Sequence, residues 1–215
     1  MPVITAMKVQ QKRGNRISVF LDQKFAFGCN QKVAERFRLR VGQVMPQDLV
    51  DAVLEGQIQQ ECFDKAVSYL ARRMHSRVEL RRKLLKAEFR PEVVEYALSR
   101  LEDMSYINDA EFARLKLQQS QRKLIGERRA MQELMRSGVK SEVAKEAVGE
   151  HFNSAETKNN AQKLIEKKLP TLRRLEPVKA KRRLIGLLQR RGFDYETIMP
   201  LVNRAFAAAD EFTSD

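Results

Sequence analysis

Side chains capable of nucleophilic, acid–base or metal chemistry are few in this sequence, and none of them forms a constellation. His75 and His151 stand far apart, each near the end of a helical stretch, and Cys29 and Cys62 lack metal-ligand spacing. No glycine-rich loop of the phosphate-cradling or dinucleotide kind occurs. Glu102, Asp103, Asp109 and Glu111 crowd one stretch and invite a metal reading, but helix capping and surface charge account for them. An enzyme needs a nucleophile with its base, a metal set or a phosphate loop. No catalytic residue, cofactor or metal is assigned.

The residues in excess are cations. Lysine and arginine number 41 against 28 aspartates and glutamates, a net +13 that favours polyanionic or acidic partners. They cluster three times. Arg72, Arg73, Arg77, Arg81, Arg82, Lys83 and Lys86 form the first group; Arg122, Lys123, Arg128, Arg129 and Arg136 the second; Lys179, Lys181, Arg182, Arg183, Arg190 and Arg191 the third. On a helical wheel Arg82 and Lys86 fall opposite Leu80 and Leu84, so that face is solvated. A single charge run is ordinarily just a solvated face. Three at matched places in a repeating chain make a basic stripe, suited to phosphate contact with single- or double-stranded DNA or to a nucleoprotein. Base reading is not expected, since tryptophan is absent and Tyr69, Tyr96, Tyr106 and Tyr195 lie in or beside apolar helical stretches.

The elements that must position these cations repeat. Leu80, Leu84, Phe89, Val94, Ala97 and Leu98 reappear 50 residues on as Ala130, Leu134, Val139, Ala144, Ala147 and Val148. They reappear again, 104 residues from the first set, as Leu184, Leu188, Phe193, Ile198, Leu201 and Val202. All are apolar at helical spacing, which makes a buried stripe. Gly138 and Gly192 share one slot, where a helix would end in a left-handed cap, but Glu88 holds it in the first copy.

The fold expected is therefore mainly α, with three tandem three-helix repeats forming a curved array. The repeats span 61–106, 107–153 and 154–208. Ser76 with Glu79, and Asn108 with Glu111, have capping spacing at helix starts. Pro170, Pro177 and Pro200 interrupt the third repeat, whose first helix is placed at 155–169 and last at 195–208. An acidic tail, 209–215, is expected to fray. Residues 1–60 read as a small α+β module. Val3 to Gln11 and Arg16 to Leu21 are strands about a turn at Lys12-Arg13-Gly14-Asn15, and Phe25-Ala26-Phe27 is a third. Two short helices follow, Gln31 to Phe37 and Pro46 to Leu54, the second with Gly56 past its end; Phe63 to Arg73 then opens the first repeat. The module is a second contact or, preferably, a lid on the end of the array.

Hydrophobic content of 43% suffices for a core. No secretory signal and no apolar run of about 18 residues is visible. A monomer in the reducing cytoplasm, with no membrane partner, is the expectation.

Three stretches resemble the bacterial RecX regulators of the RecA recombinase: Ala66 to Leu84 (AVSYLARRMHSRVELRRKL), Leu101 to Ala113 (LEDMSYINDAEFA) and Gly126 to Val139 (GERRAMQELMRSGV). With the third repeat the resemblance covers Phe63 to Ala208, and 1–60 resembles the extra N-terminal module of longer members. It implies three tandem three-helix repeats and a protein that binds RecA and lies in the groove of the RecA–DNA filament. It also implies restraint of strand exchange, ATP hydrolysis and co-protease activity. Two readings compete: a nucleic-acid-binding repeat protein acting without RecA, and a nuclease at Asp103 and Asp109.

Overall fold

The computed structural model describes residues 1–10, 13–121, 123–172 and 174–211. Among them are a three-stranded antiparallel sheet and ten helices. The chain divides into two compact units, Met1–Met74 with Leu80–Ile107, and His75–Glu79 with the chain from Asn108 onward.

The first unit opens with the meander β1 (Ile4–Gln10), β2 (Arg13–Leu21) and β3 (Lys24–Asn30). β2 begins at Arg13, so Arg13, Gly14 and Asn15 extend a strand where a turn is expected from composition; Gln11 and Lys12 lie outside the described residues. The β2–β3 turn is Asp22-Gln23, both at positive φ, the pairing that matches strand twist in a two-residue hairpin. Ile4, Val19, Phe27 and Cys29 are buried on one face of the sheet, with Met45 and Val53 in the same core. A short helix, α1 (Gln31–Arg36), is capped by Asn30, whose side chain accepts from the Lys32 amide.

The next helix corrects the sequence reading. α2 runs without interruption from Gln47 to Leu70, joining the two helices expected at 46–54 and 63–73. Gly56 does not end it but lies buried inside it, because a Cβ there would come within 2.7 Å of the Phe37 ring. Glycine costs a helix about 1 kcal/mol, and here it admits an aromatic ring against the backbone. With α3 (Arg77–Lys86) and α4 (Pro91–Asp103), α2 closes a core of Phe63, Leu80, Leu84, Val94, Leu98 and Leu101.

The second unit holds α5 (Asp109–Gln121), α6 (Glu127–Arg136), α7 (Ser141–His151), α8 (Ser154–Leu172), α9 (Pro177–Arg190) and α10 (Tyr195–Glu211). Asn108 caps α5, accepting from the amides of Ala110 and Glu111, as its spacing predicts. α8 continues through Pro170 to Leu172 and α10 through Pro200 to Glu211, each beyond its expected end. The tertiary packing of Leu169, Leu172 and Phe206 on one core outweighs the hydrogen bond that an internal proline forfeits. Residues 212–215, part of the expected tail, lie outside the described residues. Of the eighteen apolar positions matched across the copies, only Phe89 and Leu201 are not fully buried, and both pack against a core.

The matched slot at 88, 138 and 192 is left-handed in all three copies, with φ of 66°, 84° and 86°. At the last two, conformation is only half the reason for glycine. A Cβ on Gly138 would lie 2.2 Å from the Val78 Cβ, and one on Gly192 would lie 2.3 Å from the Arg129 backbone nitrogen. Each glycine thus ends one middle helix while pressing on the start of the previous one. Glu88 is exposed, which is why the same turn can carry a side chain there.

Gly138→Ala and Gly192→Ala should each lower unfolding free energy by about 2–4 kcal/mol, summing left-handed strain and overpacking. Glu88→Gly should stay within about 1 kcal/mol of wild type, on the stabilising side. Urea melts of the three variants check the contrast.

Candidate functional site

The basic residues singled out by sequence divide into those the fold consumes and those it leaves at the surface. Arg81 pairs with Glu95 at 2.6 Å, and the Lys83 ammonium lies 4.7 Å from the centre of the Tyr69 ring. Arg73 donates to the Met74 carbonyl, and Arg77 is half-buried with its amide bonded to the Asp109 carboxylate. In the second cluster Lys123 and Arg129 both grip Glu133, each at 3.2 Å. Arg191 donates to the Lys123 carbonyl at 2.7 Å, and Lys179 pairs with Glu176 at 3.2 Å. These groups are already engaged within the protein. Arg122 lies outside the described residues.

Arg72, Arg82, Lys86, Arg128, Arg136, Arg182, Arg183 and Arg190 are exposed, and Lys181 is half-exposed. By the repeat offsets, Lys86, Arg136 and Arg190 occupy one equivalent position in the last turn of α3, α6 and α9, where a cation also suits the helix dipole. Arg128 and Arg129 correspond to Arg182 and Arg183, but Val78 and Glu79 stand there in the first copy. Arg72 and Arg73 likewise correspond to Arg122 and Lys123, and Arg77 to Lys181, so the matching of charge is complete at one position and partial at five.

The third repeat adds a feature that charge counting does not reveal. A groove of about 1030 Å³ runs along α8 and α9, with Leu172, Leu175, Val178, Ile185 and Leu187 as its apolar lining. Lys168, Lys179, Lys181, Arg182, Arg183 and Arg190 rim it, Lys179 being the one paired with Glu176, and no carboxylate is among its described lining residues. Val178 is 73% exposed there. Lys168 escapes a reading by clusters because it belongs to α8, before the run of cations in α9 that it joins at the groove. A smaller hollow of about 340 Å³ shares Leu187 and Arg190 with it and includes Arg129 and Glu133.

Polar groups that suggested chemistry serve the fold. His75 is buried and its Nδ1 lies 3.1 Å from Glu79, whose other oxygen is 3.9 Å from the Lys116 ammonium. Ser76 accepts the Glu79 amide at 3.1 Å, the first half of the expected capping box, and its hydroxyl donates to the Ser137 carbonyl. Asp109 is engaged by the Arg77 amide. Burial pushes the Cys62 thiol up to about 11 and raises Cys29 against the opposing charge of Arg16, so neither is a ready thiolate. No group of three His, Cys, Asp or Glu among the described residues could hold a metal, and no described helix is long and apolar enough to cross a membrane.

Charge in the first 45 residues is easily overlooked, because it lies outside the three repeat clusters. Nine lysines and arginines face only Asp22 and Glu35 there, so this stretch carries more than half of the chain's net +13.

Family models match three stretches: "RecX, first three-helix domain" at 62–101, "RecX, third three-helix domain" at 156–202, and "Regulatory protein RecX N-terminal domain" at 2–45. Regulatory protein RecX of Bacillus subtilis is 30% identical over 215 residues, covering 99% of this chain and 81% of the relative. That of Listeria monocytogenes is 29% identical over 216 residues, covering 99% and 76%. That of Listeria welshimeri is 32% identical over 157 residues, covering 73% of this chain but only 58% of the relative. A crystal structure of regulatory protein RecX superposes with a TM-score of 0.83 at 22% identity, covering 92% of this chain and 97% of the other. RecX from Lactobacillus salivarius gives 0.63 at 17% identity, covering 71% and 99%. At those identities the structural likeness is one of fold.

Partial burial opposes the Glu133 charge, yet hydrogen bonds and charges from Lys123 and Arg129 outweigh it and hold this carboxyl below its ordinary value. A depressed folded-state value stabilises the protein above the ordinary carboxylate range, and the contribution is lost as pH falls through it. Glu133→Gln should be less stable than wild type near neutral pH and converge with it in acid. Arg129→Glu should cost about 1–2 kcal/mol after allowance for solvent screening, whereas Arg136→Glu should be near neutral. Urea melts across a pH series test all three.

Proposed function

The chain belongs to the RecX family of regulatory proteins, and on that premise we propose that it is a non-enzymatic modulator of the RecA recombinase, gripping the RecA–DNA filament electrostatically. The observation that carries this reading is the basic groove of α8 and α9, whose described lining residues include six cations and no carboxylate. A concave strip of guanidinium and ammonium groups over an apolar floor attracts DNA phosphates and acidic protein surface, and gives neither a base-specific readout. Arg136, exposed at the position equivalent to Arg190, adds a cation in the same unit, and Lys86 holds the equivalent position in the first unit.

Regulation without chemistry follows from differential binding. A protein that holds one arrangement of neighbouring RecA protomers more tightly than another opposes the changes that ATP turnover and strand exchange require. Inhibition of recombinase, ATPase and co-protease activities is the consequence. The partners are RecA and the phosphates of single- and double-stranded DNA, and no cofactor takes part.

The cations to test are those with no structural duty. Arg129 is a poor probe, since its loss leaves Glu133 to Lys123 alone. RecA ATPase on single-stranded DNA, titrated with the protein at two salt concentrations, should fall well below stoichiometric protein and fall less at the higher salt. Arg182→Glu/Arg183→Glu/Arg190→Glu should keep helicity and lose inhibition. Inhibition that survives this reversal removes the electrostatic account. An ATPase untouched by protein that still binds naked DNA leaves only a nucleic-acid-binding repeat protein.

A further inference from the structure

We propose that the outer face of the N-terminal sheet is a stacking platform for single-stranded nucleic acid, with Phe25 as the base-stacking ring and Lys8 as a phosphate contact. The strand alternation separates two faces. Val19, Phe27 and Cys29 point into the core, leaving Ser18, Phe20 and Gly28 on the other side. Across the ladder Phe20 lies between Ala6 and Phe25, and Ser18 between Lys8 and Gly28. The two rings therefore stand side by side, next to small and polar neighbours.

Phe25 is 60% exposed, an unusual position for a ring in a strand that otherwise buries its large side chains. It meets Phe20 edge to face, with centroids 5.9 Å apart, so Phe20 braces it. The Lys8 ammonium lies 5.3 Å from the Phe20 ring centre, which covers that ring and leaves Phe25 as the open one. Arg16 and Gln10 reach across Gly28, Arg16 donating to Glu61 and the Gly28 carbonyl and Gln10 to the Ser18 hydroxyl, so both fix this face in place.

Charge selects the occupant. Between residues 1 and 30 the sequence holds five lysines and arginines and one carboxylate, Asp22, which accepts the Val3 amide at 3.0 Å; Arg16 is paired with Glu61 at 3.2 Å, so Lys8 and Lys24 carry the charge near the two rings. An exposed aromatic within a cationic field is the chemistry of single-strand binding, where stacking supplies base contact and cations follow the backbone. The four tyrosines of the helical region need not supply it. This assignment concerns naked nucleic acid and does not depend on RecA.

The test uses the whole protein and two fluorescent strands of equal length and charge, an oligothymidine and its fully abasic counterpart, at one salt concentration. Wild type should prefer the strand with bases by about five-fold or more. Phe25→Ala should abolish the preference without changing affinity for the abasic strand, Phe25→Tyr should retain it, and Lys8→Gln should weaken both strands. Circular dichroism and melting confirm folding, which an exposed ring should not determine. Equal wild-type binding to the two strands overturns the proposal, as does a preference that survives Phe25→Ala. So does a Phe25→Ala defect confined to the RecA filament, which would make this face a protein contact.

Discussion

Two middle helices, α6 and α9, end in the same left-handed turn, and each turn reaches the first residues of the middle helix before it. Ser76 donates its hydroxyl to the Ser137 carbonyl, and the Gly126 amide donates to the Arg191 carbonyl at 2.9 Å. The Arg128 amide reaches Gly192 as well, at 3.3 Å. Helix ends leave amides and carbonyls without intrahelical partners, and here those of one repeat satisfy those of the next. The second unit is thereby a sequence of caps. The approach is so close that only glycine fits at 138 and 192, and the arginines flanking those glycines are fixed with the backbone that carries them.

That constraint explains why cations near the turns differ in role from those further along the helix. Arg129 and Lys123 secure Glu133 beneath the docked turn, and Arg191 returns a hydrogen bond to Lys123. Arg136 and Arg190 sit on the outward side of the last helical turn, and Arg182 and Arg183 face the groove or solvent. A recognition surface whose charges are not already paired loses little by binding, since no internal ion pair must break first. Separating the two classes is what makes the proposed contact specific enough to mutate.

Much of this was legible in the sequence because it rests on local periodicity. The eighteen matched apolar positions, the Ser76 and Asn108 caps and the Gly138 and Gly192 turns follow from spacing and from what one residue type alone can do. The errors came where distant contacts override local signals. Gly56 resembles a helix stop until Phe37 is placed against it, and Pro170 resembles an end until the core it borders is known. The groove was invisible for the same reason: Lys168 and Arg182 are ordinary surface residues until α8 packs on α9. The basic character of residues 1–45 was legible but diluted, since its nine cations are scattered through three strands, a short helix and their loops.

The measurement that bears most directly on the central claim, an electrostatic grip on the RecA–DNA filament, is the salt dependence of the protein's equilibrium affinity for that filament. The account requires log affinity to fall steeply and linearly with log salt, as counterions are released from phosphate. It also requires a shallower slope once Arg136, Arg182, Arg183 and Arg190 are replaced by glutamine. Affinity indifferent to salt, or a slope those replacements leave unchanged, would contradict it.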